Sequence, residues 1–171
     1  TSNFVLKSGM CDNQQFQFEN KSSIQNGFAG NFWDFNDNGN VSTEKNPSYR
    51  FSTSGTKTVK LIAVSEFGCT DTFVKTISVK ESPKVSFINS ALCSVKPTNF
   101  TNTTPTVSGA IANYSWNFGD GTTSTVESPI HDWNAKLGPK SISLTIELDN
   151  GCKETVTKKL IVKTQPKPVF K

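Results

Sequence analysis

The feature that most constrains this chain of 171 residues is an internal repeat with a period of 83 positions. Landmark residues recur at this one spacing in the pairs Trp33/Trp116, Gly55/Gly138, Leu61/Leu144, Cys69/Cys152 and Val79/Val162. Cys11 and Cys93 are 82 positions apart. A repeat of this length is enough for a small core of its own. We therefore predict two similar modules, residues 1–82 and 83–165, with residues 166–171 as a linker or the start of a further repeat.

The most distinctive repeated segment covers residues 33–39 (WDFNDNG) and 116–121 (WNFGDG). Each copy has two aromatic residues two positions apart, which point to the same face of a β-strand. Each then continues into Asn, Asp and Gly, which tolerate the positive φ that tight turns need. We predict a core strand followed by a chain reversal in each module. The residues given this structural role are Trp33, Phe35, Asp37, Gly39, Trp116, Phe118, Asp120 and Gly121.

The rest of each module is typical of an all-β protein. Residues 57–65 alternate, with Val59, Leu61 and Ala63 on one face, and the corresponding segment of module two does the same. Helix-period apolar stripes are missing, and turn signals separate several short alternating runs. We therefore predict two stacked antiparallel sheets in each module. The linker between the modules is short and contains Pro83, which favours limited freedom between them.

The four cysteines fall two to a module, so three pairings are possible on paper. Because equivalent positions should form equivalent bonds, the repeat favours Cys11–Cys69 and Cys93–Cys152. Bonds of this kind are typical of proteins outside the cytosol. Metal-binding cysteines usually occur as Cys-x-x-Cys pairs, and no such pair occurs in the sequence.

Other candidate sites are weaker. Residues 34–39 match the start of an EF-hand loop, but Lys45 stands where such a loop needs a bidentate Glu. A looser Ca²⁺ site that uses Asp37 or Asp120 with loop carbonyls remains open, and no other metal or cofactor is expected. His131 is the single histidine, and no nucleophile and base come together in a recognisable pattern. We therefore expect no catalytic residues.

Charge gives little information about partners. The net charge of +4 comes entirely from residues 83–171, which contain ten basic and six acidic side chains. A basic patch for polyanions is one interpretation, and edge lysines that discourage strand pairing are the other. Arg50 is the single arginine and no aromatic residue lies among the terminal lysines, so we expect no nucleic-acid partner. No apolar run could cross a bilayer, so we expect no membrane insertion in this segment.

Taken together, the motifs resemble the PKD (polycystic kidney disease) domain. The resemblance rests on Trp-x-Phe-(Gly)-Asp-Gly followed by Pro-x-His/Tyr-x-aromatic, and module two is closer to it, with residues 116–121 and 129–133. Module one departs from it, with Asn36 in place of Gly and Tyr49 in place of His131. The resemblance implies an immunoglobulin-like β-sandwich and a structural His131 that hydrogen-bonds a loop. We expect Trp133 and Phe51 to be corner aromatics that are partly buried.

The Gly-Cys before each last strand resembles PKD modules of secreted and surface proteins of Bacteroidetes-type bacteria, including adhesins of gliding motility and type IX secretion. This implies a non-catalytic stalk or adhesion segment at the cell surface. The expected partners are neighbouring repeats of the same chain and, beyond them, surface glycans or other cell-surface proteins. Residues 166–170 echo the junction at 83–87, so we expect a monomeric fragment of a longer array. The alternative is an accessory spacer or substrate-binding segment of a secreted polysaccharide- or protein-degrading enzyme.

Overall fold

The computed structural model describes residues 1–23, 27–105 and 109–165. The chain divides into two compact units, Thr1–Glu81 and a second that begins at Ser82. Within the described residues every regular element is a β-strand. The strands of the first unit, module one, are β1 (Phe4–Ser8), β2 (Phe16–Asn20), β3 (Phe28–Asp34), β4 (Val41–Ser42), β5 (Ser48–Tyr49), β6 (Gly55–Ser65) and β7 (Thr70–Val79).

Module one is a sandwich of two antiparallel sheets, as the alternation predicted. One sheet has the strand order β1-β2-β5 and the other β4-β3-β6-β7. Trp33 on β3 lies opposite Leu61 on β6, so the tryptophan occupies the middle of the larger sheet. Both sheets contribute to one buried core, whose members are Phe4, Phe16, Phe18, Trp33, Phe35, Phe51, Val59, Leu61, Ile77 and Val79. The packing of both inner faces into a single cluster is what makes the module a sandwich.

Module two repeats this architecture. Its strands are β8 (Phe87–Asn89), β9 (Thr98–Asn102), β10 (Ile111–Asn117), β11 (Thr123–Ser124), β12 (Ile130–His131), β13 (Gly138–Leu148) and β14 (Lys153–Val162). The sheet orders are β12-β9-β8 and β11-β10-β13-β14. Trp116 lies opposite Leu144, just as Trp33 lies opposite Leu61. Even a register shift recurs, between Phe28 and Gly30 in module one and between Ile111 and Asn113 in module two.

Two local expectations need correction. The Asn-Gly pair at 26–27 and the Ala-Gly pair at 29–30 predict a loop over residues 24–30. The structure instead begins β3 at Phe28, and residues 24–26 lie outside the described part of the chain. Trp133 and Phe51 were expected to be partly buried, and both are fully buried, at 0% and 1% exposure. Residues 166–171, expected to be a linker or a new repeat, also lie outside the described residues.

No helix in the described segments is long and apolar enough to span a membrane.

The predicted disulfide pairing is wrong in both modules. Cys11 and Cys152 are disulfide-bonded, whereas Cys69 and Cys93 carry free thiols. The pairs Cys11–Cys69 and Cys93–Cys152 are therefore not formed.

The reason is the length of the last strand of each module. The backbone of Cys11 forms a parallel β-bridge with Lys80, which follows the end of β7. Cys69, in contrast, immediately precedes the start of β7. Ten residues of β7 separate the two positions, which is roughly 30 Å of extended chain. A disulfide needs Cα atoms within about 7 Å. Cys93 and Cys152 are separated in the same way by β14. The backbone of Cys93 forms a β-bridge with Lys163, after the end of β14, whereas Cys152 precedes its start.

Candidate functional site

The polar cluster of module one is built around Asp37, in the turn that follows the tryptophan strand. Asp37 is only 5% exposed, because the core lies beneath the turn. Its Oδ2 accepts hydrogen bonds from the Tyr49 hydroxyl at 2.8 Å and from the Ser52 N–H at 2.9 Å. Its Oδ1 accepts one from the Ser52 hydroxyl at 2.7 Å, and the Lys57 ammonium lies 3.6 Å away. The carboxylate is thus saturated by donors of its own module.

These donors set the ionisation of the cluster. Burial alone would raise the pKa of Asp37, but the Ser52 N–H and hydroxyl, the Tyr49 hydroxyl and the Lys57 ammonium together lower this pKa to about 2. Burial and the hydrogen bond to Asp37 raise the pKa of Tyr49 to about 12. The cluster therefore holds a fixed carboxylate and a neutral phenol, a pair suited to tying a turn to a strand.

Module two builds the same cluster with other residues. Asp120 Oδ2 lies 3.0 Å from His131 Nε2, and Asp120 Oδ1 accepts hydrogen bonds from the N–H and the hydroxyl of Thr122. Burial opposes ionisation here too, but the Thr122 donors and His131 lower the pKa of Asp120 below its ordinary value. Lys136 reaches the Asp120 carbonyl oxygen at 3.2 Å.

The rings that contact these carboxylates are held by stacking. Tyr49 stacks on Phe35 with centroids 4.1 Å apart, and His131 stacks on Phe118 at the same distance. The structural role that the PKD resemblance implies for His131 agrees with this geometry, since its ring hydrogen-bonds the Asp120 turn. Each cluster thereby joins the turn after the tryptophan strand to a short strand of the opposite sheet.

The two modules also differ at one buried contact, where two changes in side-chain size compensate for each other. In module two the Trp133 Nε1–H donates to the Thr98 hydroxyl at 2.8 Å, and both residues are fully buried. Module one has Phe51 at the position of Trp133 and Phe16 at the position of Thr98, and these two rings meet edge to face at 5.1 Å. A large and a small residue in one module replace two medium ones in the other, so the space is filled in both.

Sequence reasoning identified Asp37, Asp120, Tyr49 and His131 but missed their other partners. Ser52 and Thr122 supply two hydrogen bonds each to the carboxylates, and Thr98 accepts the indole N–H of Trp133. One of these partners had a sequence signal, since a threonine two residues after an aspartate is a common turn pattern. Ser52 had none, because it comes from a different segment, fifteen residues beyond Asp37.

The Ca²⁺ candidates Asp37 and Asp120 are both engaged in these internal contacts. The described residues contain no group of three or more His, Cys, Asp or Glu side chains that could hold a metal ion. The turn at 34–39 instead has Asn36 and Asn38 at positive φ, with the Asn36 N–H donating to Asp34 Oδ1 at 2.8 Å. In module two the Gly119 N–H donates to Asn117 Oδ1 in the same way.

Comparison with known proteins gives consistent results for the family. The family model described as the PKD domain matches residues 3–81 and 80–163. The collagenase ColA of Bacillus cereus is 38% identical over 63 residues, a match that covers 37% of this chain and 6% of the collagenase. The chain therefore spans only a small fraction of that relative.

Two similar solved structures are single domains. The PKD1 domain of Vibrio anguillarum Epp is 31% identical, with 46% of this chain and 90% of that domain covered and a TM-score of 0.42. The PKD1 domain of the Vibrio cholerae metalloprotease PrtV is 32% identical, with 46% and 93% covered and a TM-score of 0.41. Since the family model matches almost the whole of both modules, this chain belongs to the PKD domain family and carries two PKD modules in tandem.

Proposed function

We propose that this chain is a non-catalytic repeat segment of a large secreted or cell-surface protein, where it serves as a rigid stalk or adhesion module of the gliding-adhesin kind. The oxidised state of Cys11 and Cys152 supports a location outside the cytosol. The hydrogen bonds that Asp37 and Asp120 accept within their own modules support a structural use of the polar clusters. The observation that carries the proposal is how the two ends of each module are tied together.

In each module the chain near the first strand pairs in parallel with the end of the last strand. In module one the Lys80 N–H donates to the Met10 carbonyl at 2.8 Å, and the Asp12 N–H donates to the Lys80 carbonyl at 2.9 Å. We call this pair of bonds the terminal clamp. Module two has the same clamp, from Lys163 to the Leu92 carbonyl at 3.0 Å and from Ser94 to the Lys163 carbonyl at 2.9 Å.

A clamp between parallel segments resists tension well. The entering chain and the leaving chain run in the same direction, so a pull on the two ends of a module slides the segments along one another. All clamp hydrogen bonds must then break together, whereas a hairpin pulled at its open end breaks its bonds one at a time. Each bond is worth only about 1 kcal/mol in net stability, but simultaneous rupture makes them effective against force.

Single-molecule extension of the full chain tests this proposal, with all four cysteines reduced so that no disulfide limits the extension. We expect two unfolding events at clearly higher force than the separation of an isolated hairpin. The variant Lys80→Pro removes one clamp donor and should lower the force of one event while leaving the other unchanged, so that module two serves as the internal control. Lys163→Pro should have the reciprocal effect.

Unchanged unfolding forces in both proline variants would contradict the proposed stalk function. So would wild-type modules that extend at forces typical of hairpin opening.

A second candidate function is favoured by the names of the relatives, a collagenase and a metalloprotease. On this hypothesis the modules are accessory spacers or substrate-binding units of a secreted protein- or polysaccharide-degrading enzyme. Cosedimentation of the full chain with fibrillar collagen and with insoluble polysaccharides separates the two functions. A stalk should remain in the supernatant, and saturable retention on one polymer would favour the accessory function.

A further inference from the structure

The two free cysteines occupy the repeat positions of the two bonded ones. Cys93 corresponds to Cys11, and Cys69 corresponds to Cys152. Cys11 and Cys152 are disulfide-bonded and fully buried, at 0% exposure each. Cys69 is free and exposed, and Cys93 is free and half-buried. Each kind of position is thus bonded and covered in one module, and free and accessible in the other.

A bond that closes one module on itself is excluded by the strand lengths given above. Cys69 therefore cannot close module one with Cys11, and Cys93 cannot close module two with Cys152. We propose that Cys93 and Cys69 are linking thiols, and that the Cys93 of one copy of this chain forms a disulfide with the Cys69 of a following copy. The partner is thus a second copy of this chain, and the new bond joins one cysteine of each repeat position.

Each of the two thiols has an exposed apolar side chain beside it, and the charges around the two thiols are opposite. Phe67 is 80% exposed two residues before Cys69, and Val95 is 62% exposed two residues after Cys93. Acidic side chains accompany Cys69, namely the exposed Glu66 and Asp71, the latter 3.9 Å from the terminal ammonium of Thr1. Basic side chains accompany Cys93, namely the exposed Lys96 and Lys163. An apolar contact with opposite charges around it favours one thiol meeting the other rather than its own kind.

The chemistry is an oxidation by thiol–disulfide exchange. The thiolate of one linking cysteine attacks a small-molecule disulfide such as oxidised glutathione and releases one glutathione thiol. The second linking thiolate then attacks the mixed disulfide, which forms the S–S bond and releases the second glutathione thiol. Two protein thiols are oxidised, and one glutathione disulfide is reduced to two thiols.

This inference deepens the proposed function and depends on it for the serial arrangement of modules. The test uses two full copies fused so that residue 166 of the first is followed by Thr1 of the second, which keeps the period of 83. The fusion also converts the Thr1 ammonium of the second copy into a peptide bond, so its Asp71 loses that ion pair. After incubation with oxidised and reduced glutathione, free thiols are alkylated and the unreduced peptides are mapped.

We expect the Cys93 of the first copy to be joined to the Cys69 of the second, with loss of both thiols. The Cys69 of the first copy and the Cys93 of the second are matched controls that must remain alkylated. The Cys93→Ser variant of the first copy should restore alkylation of the second copy's Cys69.

Full alkylation of the first copy's Cys93 and the second copy's Cys69, while Cys11 and Cys152 remain oxidised in each copy, would overturn the inference. Crosslinks that also involve the Cys69 of the first copy or the Cys93 of the second would overturn the inference as well. Neither result depends on unfolding forces measured with reduced thiols, so the stalk proposal is tested separately.

Discussion

At the residue scale, the two modules tie the same turn with different donors. Tyr49 and His131 each stack on a phenylalanine of the tryptophan strand and reach the carboxylate of the turn. Both rings are flat, of similar thickness, and carry a polar atom toward Asp37 or Asp120. The carboxylate and the stacked ring are therefore the constant parts of the motif, and the identity of the donor varies.

Asp37 makes the stability of module one sensitive to acid. Its pKa is about 2 in the folded state against an ordinary 3.8, so its contribution is full above pH 4 and is lost as the pH falls toward 2. We expect Asp37→Asn to lower the unfolding free energy of module one by about 2 kcal/mol at pH 7, and to remove that part of the acid sensitivity. Urea unfolding at pH 7, 4 and 2.5 measures both effects.

The matched control for this variant is Asp34→Asn, because module two has Asn117 at that position. It should change stability far less, since an amide oxygen can still accept from the N–H two residues on. Equal losses in the two variants would refute the special role of Asp37.

The buried pair Thr98 and Trp133 predicts a non-additive result. Thr98→Val keeps the side-chain shape but leaves the Trp133 N–H without its acceptor, at a cost of about 1 to 3 kcal/mol. The double variant Thr98→Phe with Trp133→Phe copies the contact of module one and should be more stable than either of its single variants. A thermal double-mutant cycle gives the coupling energy, and additive losses would contradict the compensation.

At the element scale, the turn after the tryptophan strand depends on a close approach to the neighbouring strand. Gly119 has φ of 73°, and a Cβ there would lie 2.6 Å from the Ser141 carbonyl oxygen on β13. Gly121 has φ of 96° but faces open space. Module one has Asn36 at the Gly119 position, also at positive φ, so its turn accommodates a side chain that module two excludes.

These two glycines predict different costs for the same substitution. Gly121→Ala should cost about 1 to 2 kcal/mol, the strain of an alanine in the left-handed region. Gly119→Ala should cost more, because Ser141 backbone atoms must also move. Chemical denaturation of the two variants provides the comparison, and an equal loss would show that the contact with β13 is unimportant.

The strands were predictable because local alternation and turn residues specify them. The repeated Trp-x-Phe segment and the 57–65 alternation identified the core strands, and Val59, Leu61 and Ala63 are all buried. The start of β3 at Phe28 was missed, since turn-forming residues suggested a loop there. Ser52 and Thr98 were missed because their partners come from distant segments, and no local pattern records such a contact.

At the scale of the whole molecule, the cysteines show the limits of repeat logic. The repeat correctly indicates that Cys11 and Cys93 are equivalent, and likewise Cys69 and Cys152, but equivalence does not place two cysteines near each other. The last strand sets the distance between the two cysteines of a module. Because β7 and β14 carry the chain from one end of a module to the other, these two cysteines lie far apart. Each module therefore has one cysteine position at each end.

The pairing of the cysteines is tested most directly by a thiol map of the folded chain. Alkylation without reduction, followed by reduction and a second label, assigns the state of each cysteine. We expect Cys69 and Cys93 to take the first label, and Cys11 and Cys152 to take only the second. Unreduced peptides that join Cys11 to Cys69, or Cys93 to Cys152, would contradict this expectation.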